Sequence, residues 1–516
     1  MSTATSASER DFGVSGAPTR ELRTKHAHAG IAMAVATFAM AAAAGIQAVM
    51  YLSEFGVNAR TDGLFVGFAL YAVFGVFSQS IRVTSVPLLV GRRPRVSPRQ
   101  FAYALGFVAV AVIIVTGPFA EILAGVLAPG LAGDGRATAE QALPILGGAM
   151  VLQLFAAGGA TLLAVQDRFL RVAVAYAVGA VAGLAAYLAL VGLTDELSLG
   201  WSMLAMAVVT CAIMLTGVSR AGLATPSTNA GRGQRILAIT GLIFARTAVY
   251  LVFNSLYLVT LAFTSNFEAG DATVLSYAYL FASYLVAGTG FALGMSRIAD
   301  MRRGALADWK TMATDTVPPG FRYSMLLVAP ALAGLVAAGA PLIGELFPDS
   351  LSSADAGTLR VFGALLIPWT VAALLVNLML PVMFAMGKAR LVNAVAPALL
   401  VLQIAATAAG AALAGAEGAV GAAFIAPACF AAALVVLGAP GEVRRLAAEL
   451  AWDGLRFLAS AAVCFGMAAA LGAALANGLA SSFIAAAVGT ILYLAALLFL
   501  APRQVKLLSR SLWNRG

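Results

Sequence analysis

Apolar residues follow one another in blocks long enough to cross a bilayer, and short polar gaps separate these blocks along almost the whole chain. A helix needs about 20 mostly apolar residues to span the hydrocarbon. On that measure the pattern predicts fourteen spans, beginning near His28, Gly63, Phe101, Gln141, Leu170, Leu199, Ile236, Ala272, Tyr323, Val361, Leu391, Ala419, Phe457 and Ser481. Glycine and alanine crowd these blocks, and the 52 glycines would weaken helices in water. In lipid, small residues instead let helix backbones approach closely. The expected fold is an all-α polytopic membrane protein.

Composition removes the soluble alternatives. Hydrophobic residues make up 61% of the 516 and charged residues 11%, with a mean hydropathy of +0.93; soluble domains carry about 25% charge. The few charges orient the chain, because basic residues collect on the cytoplasmic side of short loops. With the first tail inside, Arg60, Arg136 and Arg360 fall in outer loops and Arg82 and Arg246 within helices. The rest of the 32 Lys and Arg lie on the cytoplasmic side. Both termini are therefore expected in the cytoplasm, in a bacterial-type plasma membrane. The net charge of +9 is a signal of topology, and no nucleic-acid partner follows from it. Residues 1–27 are polar and of mixed charge, which predicts a disordered cytoplasmic tail rather than a cleaved leader. Cys211, Cys429 and Cys464 sit in apolar spans without metal-ligand spacing, so no metal or cofactor is expected.

Four landmarks recur in order. Pro118, Glu121, Arg136 and Pro144 in one half are answered by Pro341, Glu345, Arg360 and Pro368 in the other, at one spacing to within a residue. The basic stretch GRRPRVSPRQ follows the second span, and a second basic stretch, Arg297 to Arg322, follows the eighth. The expected organisation is a six-helix half over 28–217, a Gly/Pro/Ser/Arg-rich cytoplasmic linker over 218–235, and a second six-helix half over 236–438. The halves share one orientation, related by a pseudo-twofold along the membrane normal, and 439–516 adds two C-terminal helices and a cytoplasmic tail. Duplicated bundles of this kind bind a ligand between the halves and expose it alternately to each side.

Candidate chemistry centres on the seventh span, GLIFARTAVYLVFNSLY, where Arg246 is the one charge between Ile236 and Asn266. A cation at that depth costs from about 3 to above 10 kcal/mol, so it is expected to face the bundle interior. Tyr250, Phe253 and Tyr257 follow at helical spacing with Asn254 beside them. Two readings stay open. Either the guanidinium receives a phosphate or pyrophosphate in a bidentate fork, or carbonyls, water and the faces of Tyr250 or Tyr257 satisfy it. Arg82 either snorkels toward the basic loop or receives an anionic head group from the cytoplasmic side. Gln47, Asn254 and Asn377 are mid-helix amides, each interhelical glue or a ligand contact. Pro330, Pro368 and Pro381 read as kinks, and Glu121 is the one acid expected within a helix.

Two stretches carry a resemblance. EFGVNARTDGLFVGFALYAVFGVFSQSIRVTSVPLLV resembles the first outer loop and second helix of the MurJ lipid II flippases through Phe55, Gly56, Asp62, Phe65, Val66 and Pro87. SYAYLFASYLVAGTGFALGMSRIADM resembles that family's eighth helix through Tyr277, Ala278, Gly288, Gly290, Ala292, Ser296 and Arg297, and VLAPGL and LAVQDRF are similar as well. The resemblance implies twelve helices plus two, an arginine-lined cavity, and a place in the multidrug, oligosaccharidyl-lipid and polysaccharide exporter superfamily. It adds Asp62 and Tyr277 to the expected substrate-binding set of Arg246, Tyr250, Asn254, Tyr257, Arg82, Gln47 and Asn377. The sequence departs from the family where its first, second and eighth helices carry cavity arginines. Here the first has none, the second has no pair at its midpoint, and the eighth has Leu280 at the aligned position, so Arg246 stands in for them in part.

Together these readings imply a flippase for a polyprenyl-(pyro)phosphate-linked saccharide, lipid II or a related envelope precursor, working by alternating access. Its expected partners are that glycolipid, anionic membrane lipids drawn to the basic loops, and envelope-synthesis proteins. No catalytic residue is expected, and the protein is not expected to be an enzyme. Three other functions compete. A cation-coupled multidrug antiporter needs an intramembrane carboxylate, for which Glu121 is the expected candidate; a membrane glycosyltransferase would use Glu54 or Asp62; a scaffold of an envelope-synthesis complex would transport nothing.

Overall fold

The computed structural model describes residues 43–89, 96–166, 168–220, 232–291, 309–346, 350–439 and 441–500. The expected tail 1–27, much of the linker and residues 501–516 lie outside the described residues. A first group holds α1 (residues 43–55), α2 (Ala59–Leu89), α3 (Pro98–Thr116), α4 (Ala120–Leu127), α5 (Gly133–Val165), α6 (Phe169–Leu190) and α7 (Ser198–Arg220). The second begins with α8 (Arg232–Thr264), α9 (Asp271–Val286), α10 (Trp309–Gly334) and α11 (Ala340–Leu346). It continues with α12 (Ser353–Leu365), α13 (Ile367–Ala385), α14 (Ala389–Gly421) and α15 (Ile425–Gly438), and the hairpin of α16 (Val443–Leu475) and α17 (Leu479–Leu500) follows. No strand occurs among the described residues.

Among the described residues, 12 helical stretches are long and apolar enough to cross a membrane, which makes the chain a multi-pass membrane protein. One of them, Ala389–Gly438, runs for 50 residues. It breaks at Ala414 (φ −146, ψ 28) and Gly415 (φ 61, ψ −140), which leave the helical region. A Cβ on Gly410 would stand 2.2 Å from the Gly418 carbonyl oxygen, so the two arms meet backbone to backbone. The first expected span lies largely outside the described residues, and the count of fourteen stays an expectation.

Several helices extend beyond their apolar blocks, which corrects the sequence reading. α2 begins early enough to hold Asp62, α10 holds Arg322, and α16 holds Glu449 and Asp453. Glu121 is therefore not the only acid within a helix. The reason is local pairing: Arg322 Nε donates to Asp453 Oδ2 at 2.6 Å, and another nitrogen of the same guanidinium reaches Glu449. Opposite charges on α10 and α16 satisfy one another, so these polar turns stay helical instead of opening into a loop. The pair also docks the C-terminal hairpin on the second group.

The recurring landmarks fall in matching elements. α3 ends at Gly117 before the short α4, which carries Glu121; α10 passes through a π turn, Leu335–Gly339, into the short α11, which carries Glu345. Arg136 and Arg360 lie in α5 and α12. The copies differ at the proline: Pro144 lies inside α5, whereas Pro368 opens α13 and splits the second copy in two. Pro330 and Pro381 lie inside α10 and α13.

Candidate functional site between the helix groups

α8 links the groups because it packs both on α14 of its own group and on α2 and α3 of the other. Apolar side chains make the junction. The Phe77 and Phe244 rings lie 5.3 Å apart, in a buried cluster with Ile81, Phe101, Ile239 and Ile243. α2 and α8 are antiparallel, since the start of α2 and the end of α8 lie at the same end of the bundle, here the Asp62 end. Arg82 is five residues past Phe77 on α2 and Arg246 two past Phe244 on α8. At about 1.5 Å per residue the two positions are therefore about 10 Å apart in depth, with Arg246 nearer the Asp62 end. Backbone placement thus puts both arginines beside one contact between the groups. Their side chains lie outside the described ones.

The aromatic stripe beside Arg246 turns into the second group. Tyr250 is 1% exposed, its ring 5.8 Å from that of Phe384, and Phe253 packs on Phe430. Tyr257 stacks on Tyr279 with ring centroids 3.7 Å apart, and its hydroxyl shares a 2.7 Å hydrogen bond with Ser276. The Tyr250 hydroxyl has no partner among the described residues. The amides are engaged locally: Asn254 donates to the Tyr250 carbonyl at 2.8 Å, Asn377 to the Ala373 carbonyl at 2.9 Å, and buried Gln47 to Ser202 at 3.5 Å. The expected set therefore divides. Tyr250 and Tyr257 belong to the core of the second group, and Gln47 to that of the first.

Asp62 and Tyr277 do meet across the groups, at the Asp62 end. Asp62, 2% exposed, accepts from the Gly270 N–H at 2.6 Å, the Thr273 N–H at 2.7 Å and the Thr273 hydroxyl at 2.6 Å. These donors open α9, whose N-cap residue Gly270 makes no side-chain cap of its own. A carboxylate from α2 thus caps a helix of the other group, where unpaired N–H groups and the helix dipole both favour negative charge. The contact is reinforced nearby. The Tyr277 hydroxyl donates to the Ala48 carbonyl at 3.1 Å while its ring meets Phe65 at 5.0 Å, and the Ser350 hydroxyl donates to the Ser53 carbonyl at 2.6 Å. On the first group alone, Arg60 pairs with Asp134 at 3.0 Å and with Glu196 at 3.6 Å.

Sequence reasoning missed three participants. Gly270 and Thr273 gave no signal beyond the Gly-Asp pair before the eighth span, because their partner is more than 200 positions away in the chain. Asn393 on α14 was not singled out either. Its amide oxygen accepts from the Val249 N–H at 3.0 Å and its nitrogen donates to the Ala245 carbonyl. In an uninterrupted helix those two backbone groups bond to each other, so Asn393 clips the turn that carries Arg246.

A helical bundle sealed by polar bonds at one end and by apolar rings further along defines a class: a multi-pass transporter with two packed helix groups. The comparisons agree on the fold. A structure described as lipid II flippase MurJ in an inward closed conformation superposes with a TM-score of 0.69 at 14% identity, covering 92% of this chain and 100% of that one. An inward-facing multidrug resistance MATE family transporter of the MOP superfamily gives 0.56 at 14%, covering 81% and 98%. A variant of the Vibrio cholerae MATE transporter VcmN gives 0.55 at 13%, covering 82% and 98%. No curated protein sequence matches the chain. The family profile described as lipid II flippase MurJ matches residues 98–471. The chain belongs to the lipid II flippase MurJ family.

Proposed function

We propose that the protein is a lipid flippase that carries a polyprenyl-(pyro)phosphate-linked saccharide, lipid II or a related envelope precursor, from the cytoplasmic to the outer leaflet. The observation that carries this reading is the family match over residues 98–471. The packing of α8 on both helix groups supports this reading. With both termini in the cytoplasm, the Asp62 end faces outward and its hydrogen bonds close the path on that side. The halves 28–217 and 236–438 rock against each other along α2 and α8, with 439–516 appended. A head group entering from the cytoplasm passes Arg82 first and meets Arg246 about 10 Å deeper, while the lipid tail stays in the bilayer. An inside-negative potential assists anion export by about 2.3 kcal/mol per charge per 100 mV. The protein's groups bind and release; none is assigned to bond making or breaking.

A second reading, a cation-coupled drug antiporter, draws on the MATE structures and on the buried carboxylate of Asp62. Against it, both Asp62 oxygens are held by donors from α9, which leaves that carboxylate engaged in this state. Reconstitution separates the two. Proteoliposomes holding a labelled polyprenyl-pyrophosphate saccharide should show its transfer between leaflets, and a lipophilic cationic dye should not move under a proton or sodium gradient. Dye movement without lipid transfer would overturn the flippase.

A further inference from the structure

A pocket of about 230 Å³ opens at the Asp62 end, away from the contact between α2 and α8, where the tip of the α16–α17 hairpin meets the α10–α11 arm. Asn477, Ser481 and Ser482 line it from the hairpin, Pro341 and Glu345 from the arm, and most of the remaining wall is alanine. Glu345 reaches the hairpin turn itself, its Oε2 lying 3.8 Å from where a Cβ on Gly478 would stand.

Two observations point to a ligand. Ser482 is 6% exposed and lines the pocket, yet its hydroxyl makes no hydrogen bond among the described residues. Glu345 has neither an ion pair nor a hydrogen bond among them. The Ser482 hydroxyl opens onto the pocket from an otherwise buried residue and the Glu345 carboxylate is exposed at its edge, so both are open to the same guest.

The pocket has two electrical poles. α17 begins at Leu479, so its unbonded N–H groups and the positive end of its dipole lie beside Ser481 and Ser482, a setting that suits a phosphate. α16 ends at Leu475, and its last carbonyls together with Glu345 suit an ammonium. Leu475, Leu479 and Phe483, each next in the chain to a lining residue, are exposed and offer acyl chains an apolar surface. The volume equals that of roughly eight waters at about 30 Å³ each, enough for a phosphate and a short amine together.

We propose that this pocket binds the head group of a membrane phospholipid bearing a primary ammonium, with its phosphate at the start of α17 and its ammonium at Glu345. A quaternary ammonium has no N–H to give Glu345, and an anionic glycerol head group brings no cation to it. The proposal does not depend on the transport reading. Its test is native mass spectrometry of the purified full chain in detergent with equimolar phosphatidylethanolamine, phosphatidylcholine and phosphatidylglycerol. Wild type should retain phosphatidylethanolamine about tenfold over the others, the scale of one charged hydrogen bond. Glu345→Gln, at an exposed position, should abolish that preference, and Ser482→Ala should lower the retention of all three lipids together, since each carries the phosphate. Equal retention of the three lipids by wild type, or a preference intact in Glu345→Gln, overturns the proposal. Glycerophosphoethanolamine binding as tightly as the whole lipid overturns the assignment to a lipid.

Discussion

Asp62 concentrates the account at the residue scale. Its carboxylate is almost fully buried, yet three donors from α9 satisfy it, so the contact is stable without water and lost as soon as the groups separate. Asp62→Asn would turn an amide N–H toward one of these donors, at a cost of about 1–3 kcal/mol. The Asp62 end should then open more often. A cysteine introduced at half-buried Ser350 reports on this: its labelling by a membrane-impermeant maleimide should be several-fold faster in the Asp62→Asn background, and an unchanged rate would mean the seal rests on other contacts. Asp62 was legible from its motif, but its role was not. The motif lies in one stretch of chain, while the donors lie in a turn that only folding brings near.

At the scale of elements, the apolar blocks located the helices well where lipid alone sets their ends. The expected starts near Leu391 and Ala419 bracket the observed break at Ala414 and Gly415. They located ends poorly where protein covers a polar turn, as at Arg322, Glu449 and Asp453, because hydropathy scores those charges as if each faced lipid or water alone. Two stability measurements follow. Arg322→Leu leaves Asp453, 4% exposed, without its cation, and discounting for the partly exposed Arg322 and Glu449 it should cost about 1–3 kcal/mol. Arg322→Leu combined with Asp453→Leu should regain much of the lost Tm, and a double variant no more stable than the single one would refute the pairing. Gly410→Val drives a side chain into the Gly418 carbonyl, an overpacking worth about 1–3 kcal/mol. Its Tm in detergent should fall by a few degrees, whereas Gly241→Ala, where a Cβ meets nothing within 4 Å, should fall little.

For the whole molecule, the repeat landmarks fall in elements of the same kind in the two groups, and the aromatic stripe packs within the second group. Tyr250 and Tyr257 sit at the right helical spacing from Arg246 to share its face, but spacing cannot say whether that face meets the other group or the core of its own. Here the rings of Phe384, Phe430 and Tyr279 claim it. Alternating access requires the Asp62 end to part. The Thr61 and Thr273 hydroxyls lie 3.0 Å apart across it, so Thr61→Cys with Thr273→Cys should form a disulfide on oxidation. Lipid transfer should then stop and return on reduction; transfer that continues in the cross-linked protein would exclude opening at this end.

In the proposed transport cycle an anionic head group crosses between the halves by way of Arg246. Its most direct test is the rate at which a labelled polyprenyl-pyrophosphate saccharide appears on the outer leaflet of proteoliposomes containing wild type, Arg246→Lys or Arg246→Ala, each checked for folding. Arg246→Ala should lose about tenfold or more, the scale of a charge-assisted contact, and Arg246→Lys, which keeps the charge without the bidentate fork, should lose part of the rate. Equal rates for all three would contradict this route and assign Arg246 a structural part, with the path elsewhere.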